Sequence, residues 1–161
     1  MTDSGVLERM TIAPVVLGGA GPADLAAVLP LAVAFYAEHG FGTGEHALRD
    51  NLTVLLESPA ARVAVVRSDT RPLGFAVTTT GFGLENGLIA ELEDLYVLPS
   101  ARRRGLGGRL VADSAAWARE RGCRSLELVV APNGRDIGPL VDYYLAHGFR
   151  DEGRRLISRP L

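Results

Sequence analysis

The chain is poor in the residues that build metal and disulfide frameworks, with one cysteine and three histidines among 161 residues. Cys123 has no partner for an internal disulfide. His39, His46 and His147 lie too far apart to make a zinc-type ligand set from spacing, so no metal is expected. Long apolar runs are also missing: nothing approaches the roughly 20 residues that cross a bilayer. The opening MTDSGVLERM lacks the basic start and apolar core of a leader segment, so no membrane partner is expected and a cytoplasmic location is. Charge of one sign is not in excess either, with 17 basic against 19 acidic residues and a net charge of −2 at pH 7, which argues against nucleic acid as a partner. Two nucleotide fingerprints are absent. No Gly-x-x-x-x-Gly-Lys-Ser/Thr string occurs, and Leu110 stands where the last glycine of a G-x-G-x-x-G would fall, which removes support for nucleotide hydrolysis and hydride transfer.

What is present has the size of one domain, placed at residues 11–161 after a disordered stretch over residues 1–10. Ile12–Leu17 reads as a strand, and GGAGPAD as a turn opening a helix with Pro22 near its start. Leu25, Val28, Leu29, Ala32, Val33 and Tyr36 then recur at helical spacing up to Gly40, with Pro30 kinking or restarting the helix. A second helix carries Leu48, Leu52, Leu55 and Leu56 between Glu45 and Glu57. Val63–Val66, Leu73–Thr80 and Leu88–Leu98 are β-rich runs separated by turn-forming residues, which predicts three antiparallel strands. After Pro99 comes a basic glycine turn and an amphipathic helix ending at Gly122. Ser125–Val130 follows as a buried strand, then a helix over about 137–147 and a tail able to form one or two short strands at most. The fold class is α/β.

The order strand, Pro99, RRRGLGG, amphipathic helix carries the chemistry. A helix N-terminus exposes unpaired N–H groups at the positive end of its dipole, so a turn feeding into it is a ready anion site. Gly105, Gly107 and Gly108 have no side chains to hold a phosphate away and can aim successive amides at one point.

Leu95, Val97 and Pro99 followed by Arg102-x-x-Gly105-x-Gly107 resemble the signature of the GNAT acetyltransferases, and Tyr143-Tyr144-Leu-Ala-His-Gly148-Phe149 is similar to that family's helix ending. The resemblance covers about residues 60–150. It implies a central, mixed but mostly antiparallel sheet, splayed between strands 4 and 5 and flanked by about four helices. It also implies acetyl-CoA as cosubstrate: Leu95, Tyr96 and Val97 along the pantetheine and acetyl group, Arg102, Arg103, Arg104, Gly105, Leu106, Gly107 and Gly108 around the pyrophosphate, and Asn133 as a further contact. Tyr144 falls on the family's general acid, whereas Tyr143 reads as a packing aromatic. Some relatives use a carboxylate in the strand before the loop as base, which makes Glu93 the first choice here and Asp94 the second. Strict alternation puts Glu91 and Glu93 on one face and Asp94 on the other, unless a bulge resets the register.

Acceptor residues are sought among the carboxylates. Glu38, Glu45, Asp50 and Glu91 are the candidates for holding a small, cationic primary amine of the aminoglycoside or polyamine type, acetylated directly in a ternary complex. Leu128 replaces a glutamate carried by enzymes resembling the ribosomal-protein acetyltransferases, which disfavours a protein N-terminus as acceptor. Other readings remain: a non-catalytic acetyl-CoA-binding regulator, or an acetyltransferase acting on a protein or aminoacyl-tRNA amine. A homodimer is compatible with the sequence without being required by it.

Overall fold

The computed structural model describes residues 14–132 and 134–161. The stretch 1–10 and the candidate residue Asn133 lie outside the described residues. A central strand, β2 (Ala61–Ser68), shows how the chain sorts into layers. Its sequence ARVAVVRS is buried on both faces, as an interior strand must be when helices cover both sides. Val63 and Val65 enter one core, shared with Val28, Leu31, Leu48 and Leu52. Ala64 and Val66 enter the other, shared with Leu106, Leu110 and Val111.

The sheet runs in chain order: β1 (Val15–Gly19), β2, β3 (Arg71–Gly83), β4 (Gly87–Val97) and β5 (Leu126–Glu127). The first four strands pair antiparallel and β5 lies parallel to β4. The β2–β3 turn places Asp69 at φ 52°, a left-handed position that aspartate tolerates better than most residues. α1 (Leu25–His39) and α2 (Glu45–Glu57) cover one face, and α3 (Leu106–Glu120) covers the other. α4 (Gly138–Ala146) approaches that second face through Tyr144 and the following Phe149. Asp113 of α3 accepts bonds of 2.7 and 2.8 Å from Arg62 of β2, and Thr78 of β3 donates to Ser114 at 2.9 Å. These contacts fasten α3, and the loop that feeds it, to the sheet.

Two expectations change. α1 runs unbroken through Pro30, because Pro30 and Ala26, whose carbonyl it leaves unpaired, lie on the exposed face, where water can serve that carbonyl. The buried strand expected over Ser125–Val130 shortens to Leu126–Glu127 and is only half-buried. It pairs with β4 at Ala90 and Glu91 alone, so beyond Glu91 the two strands part, which is the expected splay. The tail beyond Phe149 forms no strand and is exposed.

Candidate active site

β4 carries three carboxylates to the point where β5 leaves it. Val77 of β3 pairs with Asp94, but the next residue, Thr78, pairs with Leu92, so Glu93 is an extra residue in the strand. This bulge corrects the alternation read from sequence. Two β4 residues now oppose one on β3, and the side chains on either side of the extra residue shift register. Leu92, Leu95 and Val97 pack on the α3 side. Asp94 instead faces α1, where the Tyr36 hydroxyl donates to its Oδ1 at 3.4 Å. Glu93 accepts a 2.7 Å bond from Thr79, which lies in register with Glu91. Asp94 therefore joins Glu91 and Glu93 instead of opposing them.

The surroundings separate the three. Burial, reinforced by the charge of Glu93 and opposed by the Tyr36 bond, pushes Asp94 up to about 6. Burial likewise raises Glu91, helped by Glu93 and by Glu127 on β5. Glu93 is exposed. Tyr36 is pushed up to about 12 by burial, then by the charge of Asp94 and its bond to it. A partly buried carboxylate that is still ionised near neutrality is suited to accept a proton, and Asp94 has that environment where the exposed Glu93 does not.

On the other side of β4, α4 presents two tyrosines. Tyr144 packs against the same core as Leu95 and Val97 and meets Phe149 edge-on, with ring centroids 5.5 Å apart at 76°. Gly148 at φ 89° lets the chain turn back so that the Phe149 amide bonds the Tyr144 carbonyl at 3.1 Å. The Tyr144 hydroxyl makes no hydrogen bond among the described residues and is not sealed from solvent. Burial, then Tyr143 and the charge of Asp94, push it up to about 12.

The basic loop begins with a single 3-10 turn at Pro99–Ala101. Arg103 follows at φ 61° and Gly105 at φ 72°, and Gly105 caps α3. Left-handed residues at alternate positions curl a backbone toward the concave form that binds anions, and here they stand directly before a helix N-terminus. Leu106 is buried in the α3 core, so only its backbone can serve a ligand. The directions in which Gly107 and Gly108 would carry side chains are already used. A Cβ on Gly107 would lie 2.6 Å from the Tyr143 hydroxyl, and one on Gly108 would lie 2.8 Å from His147 Nε2. The glycines thus admit α4 against the start of α3, a role that phosphate approach alone did not suggest. Tyr143 reaches the basic glycine turn at Gly107, with the His147 ring centroid 4.2 Å from its own.

The remaining acceptor candidates disperse. Glu45 pairs with Arg49 at 3.3 Å and Asp50 with His46 at 3.5 Å, both within α2. Glu38 binds Arg102 of the loop at 2.7 Å and accepts a 3.1 Å bond from Tyr96, so its carboxylate is directed at the basic loop and not at the acidic trio. Tyr36, Glu127 and His147 carried no site role in the sequence, and Tyr143 only that of a packing aromatic. Tyr143 and His147 were findable, being four residues apart on one helical face. Tyr36 and Glu127 become relevant only through pairing across the fold.

Residues 32–149 match the acetyltransferase (GNAT) family. A 68-residue stretch is 46% identical to aminoglycoside N(6′)-acetyltransferase type 1 of Klebsiella aerogenes, covering 40% of this chain and 45% of that protein. The protein of the same name from Salmonella typhimurium is 31% identical over 72 residues, 42% of this chain and 50% of its own length. The chain thus spans about half the length of these curated relatives. Among solved structures, the aminoglycoside acetyltransferase AAC(6′)-Iy, bound to the bisubstrate analogue CoA-S-monomethyl-acetylneamine, superposes with a TM-score of 0.80 over 92% of this chain and 99% of that one, at 20% identity. An integron cassette protein from the mobile metagenome of Cole Harbour Salt Marsh superposes with a TM-score of 0.78 over 90% of each chain, at 27% identity.

Proposed function

The chain belongs to the acetyltransferase (GNAT) family, and from that membership we infer that it moves the acetyl group of acetyl-CoA onto a primary amine of a small cationic molecule of the aminoglycoside or polyamine type. The observation that carries the acceptor reading is the β4 bulge, which gathers Glu91, Glu93 and Asp94 on one face beside Tyr36. Kinship with aminoglycoside acetyltransferases points the same way.

The residues present fit acetyl-CoA. The curled backbone at Arg103 and Gly105 would hold the pyrophosphate, and the edge of β4 from Leu92 to Val97, unpaired by β5, would lie along the pantetheine. Bound there, acetyl-CoA would supply a thioester carbonyl open to attack by an amine. Asp94 is ionised at neutral pH and can take the ammonium proton directly or through water. Backbone N–H groups on the free edge of β4 can donate to the carbonyl oxygen as charge gathers on it. Tyr144 holds its proton throughout the working range and can donate to the departing sulfur. Glu91 and Glu93 supply the negative field that draws in the cation.

Release of free CoA over a panel of amino sugars, polyamines, peptides and neutral amines tests this function. The chain contains no lysine, so its own side chains offer no competing amine. Turnover confined to neutral or acidic acceptors would end the cationic reading while leaving acetyl transfer in place. Steering adds a second expectation: kcat/KM for a multiply charged amine falls steeply as salt rises, and far less for a monoamine, because screening acts in proportion to ligand charge. Equal salt dependence would remove the electrostatic cleft.

The loop has its own test. Gly107→Val is expected to weaken acetyl-CoA binding by more than about tenfold, since it drives Tyr143 off the start of α3. Arg103→Ala removes one exposed charge, worth about threefold at most. Calorimetry compares them, and equally small losses would take the loop out of the cofactor site.

A further inference from the structure

Glu38 sits in the last turn of α1, where the negative end of the helix dipole disfavours a carboxylate. Something must compensate, and its surroundings show what does. Arg102 Nη2 donates to both carboxylate oxygens, at 2.7 and 2.9 Å, and the Tyr96 hydroxyl donates to Oε2 at 3.1 Å. Arg102 is itself constrained from two further directions. Its Nε donates to the carbonyl of Val97 at 2.9 Å, and its guanidinium lies over the Tyr96 ring, 5.5 Å from the centroid. The backbone carbonyl of Glu38 accepts another bond, from Arg135 on the segment leading into α4. One residue of the acceptor-side helix thus touches the end of β4, the start of the basic loop and the approach to α4. An exposed ion pair alone would stabilise little, but this one closes a network of five hydrogen bonds around a single residue pair.

We propose that Glu38 is a positioning residue for acetyl-CoA, acting through Arg102 and not on the acceptor. The assignment rests on the acetyl-CoA reading of the loop. Arg102 is the last extended residue, at φ −66° and ψ 165°, before the left-handed Arg103. Held on Glu38 and Val97, its side chain sets the direction in which the loop amides emerge. Without Glu38 the guanidinium loses its anchor on α1, and the amides of residues 103–108 lose their common aim. Cofactor affinity is then weakened with little change at the acidic trio, because Asp94 is held by Tyr36, which is two residues before Glu38 on α1 and so does not share its face of the helix.

The test measures acetyl-CoA Kd by calorimetry, and acceptor KM and kcat at saturating acetyl-CoA, for wild type, Glu38→Gln, Arg102→Gln and the double variant. Each single variant is expected to weaken acetyl-CoA binding about tenfold, the loss of a charged hydrogen bond. The double variant should be no weaker than the worse single one, because both remove the same contact. Acceptor KM should move less than about twofold, a split that a general loss of folding stability would not produce. An unchanged Kd in Glu38→Gln overturns the proposal, as do additive losses. A raised acceptor KM with Kd intact overturns it too and returns Glu38 to the acceptor site. Failure of the wild type to bind acetyl-CoA would instead remove the cofactor reading itself. If Glu38→Gln does not fold, Tyr96→Phe decides: it deletes one contact to the carboxylate and keeps the packed ring, so binding about threefold weaker with acceptor KM unchanged supports the role, and no loss overturns it.

Discussion

An Asp94→Asn enzyme is expected to lose about 10²-fold or more in kcat, the usual consequence of deleting a general base, while its acetyl-CoA affinity stays within a few-fold of wild type. The same substitution should stabilise the fold at neutral pH. Asp94 is raised from its ordinary 3.8 to about 6, by burial first and then by Glu93. The folded state therefore holds that proton more tightly than the unfolded chain does, and the stability so contributed is complete below pH 3.8 and lost as pH rises through about 6. Above that, the native protein carries an ionised, partly buried carboxylate. Asparagine removes it, for a gain on the order of 1–3 kcal/mol at pH 7 that shrinks to nothing near pH 4. Lower activity with higher stability marks a side chain kept for chemistry. The kcat/KM profile of the wild type should rise with a midpoint near pH 6. Tyr36→Phe, which deletes a bond favouring the ionised form, should move that midpoint up; Glu93→Gln, which deletes a like charge, should move it down. If Glu93→Gln abolishes turnover while Asp94→Asn leaves it intact, the base is Glu93.

Tyr144→Phe should lower kcat by about 10²-fold with acetyl-CoA affinity nearly intact, since only the hydroxyl is removed and the ring keeps its contact with Phe149. A phenol held near 12 does not lose its proton outright to a thiolate, whose conjugate acid lies near 8.5. It donates a hydrogen bond that strengthens as negative charge grows on the sulfur, so its effect belongs in kcat and not in binding. Single-turnover measurements at saturating acetyl-CoA separate the two. Unchanged kcat would free Tyr144 of the role, and a loss confined to acetyl-CoA affinity would make it a binding residue. Tyr143→Phe is the control: it removes the hydroxyl that lies over Gly107 and should act on affinity more than on turnover.

Much of the site follows from neighbours along the chain. Pro99, the run Arg102 to Gly108 and the amphipathic helix behind them set a basic glycine turn at a helix N-terminus from consecutive residues, because helix ends, left-handed glycines and apolar spacing are local properties. Tyr144 followed by Gly148 and Phe149 is local in the same sense. The limits of β4 and α2 were also visible, since turn-forming residues stop a strand and glycine or proline stops a helix whatever lies beyond.

The roles of the carboxylates were not local. Glu91, Glu93 and Asp94 alternate in sequence, yet they share a face because β3 imposes a bulge, and a bulge is a property of two strands. Glu38 and Asp50 look alike as acidic residues on neighbouring helices. One binds an arginine 64 residues away and the other a histidine four residues away, a difference that exists only once α1 is packed beside the basic loop. Glycine turn, helices and strands could thus be read from the chain alone, because short-range sterics and periodicity specify them. Which carboxylate is buried enough to hold a proton near neutrality, and which is spent on holding a loop, was decided by long-range packing, because burial and ion pairing depend on residues the sequence does not place side by side.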